Sequence, residues 1–240
     1  MEETSVSIEL RMKERLETFL KTVRTEMENA GRNPAELTVI GVSKFFPADY
    51  ARAAVKLGVC HLGENRVTEL LSKKEELERD GFYPEWHLIG TLQTNKVKKI
   101  IGNVSLIHSV DSARLLSEIS DRSMSAGTVT DVLLQINISQ EQSKHGFTKT
   151  DPETILRHSA DYPGVAVRGL MTMAPIVPCA YTPRMVFEEL RELFERTRKI
   201  VDRPELWTIL SMGMSQDYIE AIRCGATHIR IGTAIFGPRT

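Results

Sequence analysis

Cysteine is scarce in this chain. Cys60, Cys179 and Cys224 form no CxxC pair and leave one over, which argues against a disulfide framework or a thiolate metal site. They are expected to be buried, reduced thiols of a cytoplasmic protein. No apolar run approaches the roughly 20 residues of a membrane span. The start, Met1-Glu2-Glu3-Thr4, is acidic where a secretory leader would be basic, so no leader is expected. A net charge of −1 over 240 residues gives no electrostatic footprint for nucleic acid or an anionic membrane. The histidines lack metal-ligand spacing, so no metal is expected. No G-x-G-x-x-G follows the first strand-like run, against a dinucleotide-binding open sheet. No interdomain linker interrupts the chain.

What is present is an alternation. Residues 5–30 have a helical period, with Ile8, Met12, Leu16 and Leu20 on one face and Val23 and Met27 close by. Eight apolar stretches then read as strands: 37–44, 61–65, 85–90, 104–110, 131–138, 166–173, 206–212 and 227–233. The amphipathic segments between them read as helices: 48–57, 66–79, 93–101, 112–124, 152–160, 185–201 and 216–224. Strands alternating with helices indicate parallel pairing. Eight such units predict a single (β/α)8 barrel over residues 1–240, of class α/β, with an extra N-terminal helix. The proline-rich loop 174–183 is a candidate lid.

Chemistry in such a barrel collects at the carboxyl ends of the strands. Lys44 ends the first. An ammonium there either snorkels to the rim or serves as an amine of lowered pKa, able to form an imine with an aldehyde. The runs Ser211-Met212-Gly213-Met214-Ser215 and Ile231-Gly232-Thr233-Ala234 follow strands seven and eight. Backbone N–H groups at such turns bind phosphate oxygens, and they equally serve turns and helix caps. Arg230 lies in an apolar strand and needs a partner, for which Glu64 is one candidate. His87 and His108 stand near strand ends, where hydrogen-bonded structural roles are commonest. Lys73-Lys74-Glu75-Glu76 reads as a solvated helix face. An imine-forming lysine, an interior arginine and a phosphate cradle together suggest pyridoxal 5′-phosphate (PLP).

The chain resembles the single-domain PLP-binding proteins of the YggS/PROSC family, the PLP homeostasis proteins. The matching blocks are Val42-Ser43-Lys44, Gly63-Glu64-Asn65, Trp86-His87-Leu88-Ile89-Gly90, His108-Ser109-Val110-Asp111, Ser143-Lys144 with Gly146, Arg168-Gly169-Leu170-Met171, Ser211 to Ser215, and Arg230 to Gly237. The resemblance implies a TIM barrel like the N-terminal domain of alanine racemase, PLP fold type III. It implies Lys44 as the Schiff-base lysine, Ser211, Gly232 and Thr233 at the phosphate, Arg230 facing the pyridine nitrogen, and Asn65 and Met212 beside the cofactor. Phe45-Phe46 and Leu62 depart from the family's usual residues near the rim. The function implied is a monomeric carrier in vitamin B6 homeostasis, with PLP-dependent apoenzymes as recipients and no robust catalysis. The alternatives are a weak amino-acid racemase and a barrel for another phosphorylated metabolite, with Lys44 merely electrostatic.

Overall fold

Short β-branched runs between amphipathic helices leave one efficient burial: strands inside, helices outside. The computed structural model describes residues 5–139, 145–175 and 181–238 and has this arrangement. The strands are β1 (Thr38–Val42), β2 (His61–Glu64), β3 (Glu85–Leu88), β4 (Leu106–Val110), β5 (Thr130–Gln135), β6 (Val165–Met171), β7 (Ile209–Met214) and β8 (His228–Ile231). All pairings are parallel, and β8 returns to β1 to close the barrel. The helices are α1 (Ser5–Asn29), α2 (Ala48–Lys56), α3 (Val67–Arg79), α4 (Val97–Ile100), α5 (Ala113–Ser125), α6 (Asp151–Arg157), α7 (Pro183–Arg198), α8 (Tyr218–Arg223) and α9 (Thr233–Phe236). Among the described residues no helix is long and apolar enough to cross a membrane.

The eight strands and the extra helix agree with the sequence expectation; details differ. On α1 the buried stripe is Ile8, Met12, Leu16, Phe19, Val23 and Met27, while Leu20 is 44% exposed. Steps of four residues overrun the 3.6-residue turn, so after Leu16 the stripe must step by three. Strand β7 begins and ends later than expected, because Pro204–Leu206 form a 3₁₀ turn first. The strand therefore continues past Met212 through Gly213 and Met214, which the sequence placed in the turn after it. Its register against β8 shifts between Ser211 and Met214. Gly213 permits this at φ +94°, where a Cβ would also come 2.5 Å from Ala221 Cβ of α8.

Cys60 is exposed at the entry to β2 and Cys224 is half-buried, not the buried thiols expected. Cys179, Ser143, Lys144 and the centre of the 174–183 loop lie outside the described residues.

The main core fills the layer between strands and helices. Within the barrel a smaller apolar cluster, Leu106, Leu133 and Met171 with Ile209, occupies the β4–β7 side. Ile40 apart, the opposite side of the interior is polar. Thr38 pairs with His228, Ile40 with both Arg230 and His61, and Ser211 with His228. Side chains of paired residues point the same way, so these polar groups share the inner face.

Candidate functional site

Lys44 is half-buried, just past the end of β1. The residue before it is clamped. Ser43 N–H donates to Gly63 O at 3.3 Å, and Ser43 Oγ donates to Glu64 Oε1 at 2.6 Å. Lys73 Nζ reaches in from α3 and donates to Ser43 O at 2.8 Å and to Glu64 Oε1 at 2.5 Å. Lys73 is 6% exposed and Glu64 fully buried, so Lys73 is no solvated face and Glu64 belongs to it. The signal was legible: Val67, Leu70, Lys73 and Leu77 recur at the spacing of one buried helix face. Burial pushes the Glu64 carboxyl's pKa up, against the pull of Lys73 and Ser43. Its Oε2 has no hydrogen-bond partner among the described residues.

Phe45 follows at φ +70°, a left-handed conformation unusual for a bulky side chain, and is 57% exposed. The Phe46 ring packs on Tyr50 at 4.8 Å and stacks on Phe236 at 5.6 Å, tying the end of β1 to α9. The two phenylalanines that depart from the family pattern thus have different surroundings. Asn65, half-buried at the end of β2, lies close against Gly90, where a Cβ would sit 2.5 Å from Asn65 O.

Arg230 is 4% exposed inside the barrel. Its Nη1 donates to Ser211 Oγ at 2.6 Å and its Nη2 to Thr172 O at 2.9 Å. Burial lowers its pKa to about 10, with Asp217 pulling the other way, so it stays charged at neutral pH. A guanidinium carries five N–H donors and no acceptor, so three donors remain beyond those two bonds.

Ser211 is wholly buried in mid-strand, held between Arg230 and His108. Met212, its neighbour, lies in the layer between strands and helices. Both were expected at the mouth because the sequence reading ended β7 early. The hydroxyl at the mouth is that of Ser215, which accepts the Gly232 N–H at 3.2 Å. Thr233 and Ala234 open α9, and their N–H groups have no acceptor among the described residues. A Cβ on Gly232 would meet only Val42, at 3.7 Å and beyond, so the turn leaves room above it.

Beneath Arg230 the histidines are linked. His108 Nδ1 is 2.9 Å from Ser211 Oγ, His108 Nε2 is 3.0 Å from His87 Nδ1, and His87 Nε2 is 3.0 Å from His61 Nδ1. His228, bonded through Nδ1 to Thr227 Oγ1, has its ring 6.4 Å from those of His87 and His108. Burial lowers every one of these pKa values: His87 to about 3, His228 to about 4, His108 well below the ordinary value, and His61 against the pull of Glu85. All four rings are therefore neutral at pH 7. The sequence reading singled out His87 and His108 and missed His61 and His228. Each missed ring opens its strand two residues before a residue that was singled out or matched, Gly63 and Arg230.

The arrangement is a half-buried amine, a fixed donor cation and a turn of unpaired N–H groups at one end of a barrel. It suits a flat ligand with an anion at one end and a ring acceptor at the other.

The family described as alanine racemase, N-terminal domain, matches residues 23–240. The chain is 40% identical over 228 residues to the pyridoxal phosphate homeostasis protein of Aquifex aeolicus, covering 94% of this chain and 97% of that one. It is 35% identical to the protein of that name from Escherichia coli K12, covering 87% and 88%. The structure of PipY from Synechococcus elongatus with PLP bound superposes with a TM-score of 0.79 at 33% identity, covering 94% of this chain and all of the other. An alanine racemase of Clostridium difficile shares the fold at TM-score 0.67 and 15% identity, and the match spans 56% of the racemase.

Proposed function

The chain belongs to the pyridoxal phosphate homeostasis proteins of the alanine racemase N-terminal domain family, and from that premise we propose that it binds PLP at the carboxyl end of its barrel. Arg230 supports this most directly: it is a buried cation that uses two of its five donors among the described residues, on the strand that leads into a turn whose N–H groups have no acceptor among them. These residues fit the cofactor. Thr233 and Ala234 N–H with the Ser215 hydroxyl would receive the phosphate, and the missing Cβ of Gly232 leaves it room. Arg230 would donate to the pyridine nitrogen, and Lys44 Nζ would hold the aldehyde carbon as an imine. Asn65 would lie along the ring's edge. Ser211 serves in this reading to hold Arg230, and Met212 to pack β7 against its helices.

When bound, PLP supplies an aldehyde reactive to amines and a ring that accepts electrons. This chain's residues favour holding it over using it. Arg230 can only donate, so a ring nitrogen bound against it would be kept without a proton and the ring would be a weak electron sink. The Ser43–Glu64–Lys73 clamp fixes the backbone from which Lys44 projects. The role that follows is a carrier that keeps the aldehyde low in free solution and releases it to apoenzymes.

The test is the absorption spectrum of protein loaded with PLP, then intact mass after borohydride reduction and mapping of the labelled peptide. One phosphopyridoxyl group on Lys44 is the expected result. No covalent adduct at stoichiometric PLP, or an adduct elsewhere with Lys44 unmodified, overturns the assignment.

A further inference from the structure

We propose that His108, His87 and His61 are positioning residues for Arg230, forming with Ser211 a one-way hydrogen-bond relay along the barrel interior that fixes the direction of the guanidinium. The role toward PLP rests on the reading above; the relay itself stands on the ligand-free geometry.

The direction follows from the donor at the top. Arg230 can only donate, so Ser211 Oγ accepts from it at 2.6 Å. The hydroxyl has one hydrogen of its own, and among the described residues its remaining neighbour is His108 Nδ1, at 2.9 Å. Sending that hydrogen elsewhere in a fully buried site would leave it unpaired. His108 therefore accepts at Nδ1 and carries its proton on Nε2, which donates to His87 Nδ1 at 3.0 Å. His87 in turn donates from Nε2 to His61 Nδ1 at 3.0 Å. All three rings share one protonation pattern, set by a cation that cannot reverse it. The relay ends at His61, half-buried at the amino end of β2, which carries its proton on Nε2. His228 is bonded to Thr227 and is not a link. Neutral rings are required throughout, and burial keeps them so.

The consequence for the site is that Ser211 has no hydrogen left for a ligand. It is an acceptor fastened from below, and Arg230 keeps its unspent N–H groups aimed away from it. A break anywhere below Ser211 loosens the ring-nitrogen end of the site and leaves the phosphate turn untouched.

The experiment has two arms. In ligand-free protein labelled with ¹⁵N-histidine, NMR is expected to find His108, His87 and His61 protonated on Nε2, with scalar coupling across the His108–His87 and His87–His61 hydrogen bonds. A proton on Nδ1 of any of the three, or absent couplings, overturns the relay. In the second arm, affinities for PLP and for inorganic phosphate are compared in His87→Leu and in His61→Leu, the latter at a half-buried position and the milder change should the first fail to fold. Loss of about one hydrogen bond's worth of positioning weakens PLP roughly tenfold, with phosphate unchanged. His87→Gln, whose amide both donates and accepts, loses less. Equal weakening of both ligands, or of neither, would mean the histidines only fill space. Failure of the wild type to bind PLP would overturn the proposed function and leave the first arm to decide the relay.

Discussion

Acid should unfold this barrel through its histidines, and His228 offers the cleanest measurement. Its folded pKa is about 4, against an ordinary 6.5. A histidine held neutral by burial contributes its full share of stability above pH 6.5. It loses that share as pH falls toward the folded value, because the unfolded chain takes up a proton the folded one refuses. At 1.36 kcal/mol per unit, moving from pH 7 to pH 5 costs about 2 kcal/mol from His228 and about the same from His87. Against a typical total of about 5–15 kcal/mol that is a large fraction. Glu64 and Asp217 act oppositely: their raised pKa values let the folded protein bind protons more readily. A comparison of variants isolates the histidine. Urea unfolding of wild type and His228→Gln at pH 7 and pH 5 should show the variant losing about 2 kcal/mol less on acidification. Equal losses, within about 0.5 kcal/mol, would refute the claim that this ring is held neutral.

Lys44→Ala should abolish the borohydride-fixed adduct while the melting temperature stays near wild type, which mass spectrometry and calorimetry check together. Pyridoxal without its phosphate should bind several orders of magnitude more weakly than PLP, since two or three charge-assisted hydrogen bonds of about 1.5–3 kcal/mol each are lost; comparable titrations would dismiss the cradle. Lys73→Met strands the buried Glu64 carboxylate and should cost about 3–5 kcal/mol, largely recovered in Lys73→Met with Glu64→Leu, measured by denaturant melts. Loaded protein given L- or D-amino acids in D₂O should show Cα–H exchange far below ordinary turnover of about 1–10³ s⁻¹; fast exchange lost in Lys44→Ala would point to a racemase.

The barrel was legible because eight apolar runs alternate with amphipathic segments, and that rhythm survives errors of two or three residues at each boundary. The site is less forgiving. Ending β7 at Met212 instead of Met214 put Ser211 at the mouth, when it lies beneath Arg230. Ser215 stood in the same run and was left as one of two hydroxyls able to serve the turn. Lys73 was misread because a run of charges looks solvated, although its spacing from Leu70 and Leu77 marks a buried face. The histidine chain was out of reach: its members come from β2, β3 and β4, and only barrel closure shows that Ser211 of β7 completes it. Lys44, Arg230 and Gly232 stood out because a charge in an apolar strand, or a glycine at a strand end, is conspicuous without a fold.

The eighth strand is followed by a helix of only four residues, and the place beside it is taken by α1, which packs on α2, α8 and α9. Arg15 Nη1 on that first helix reaches Phe236 O, 221 residues along the chain. The ring of helices is therefore sealed by its own beginning, so closure carries a loop entropy that adjacent helices avoid. On the ribosome, the lysine emerges long before the turn that would take the phosphate. The site that would hold the cofactor is incomplete until β8 and the turn after it arrive. A circular permutant that begins at β1 and carries α1 after residue 238 would turn that distant closure into a local one. Its refolding rate, set against that of the natural order, would measure how far the sealing step limits the whole.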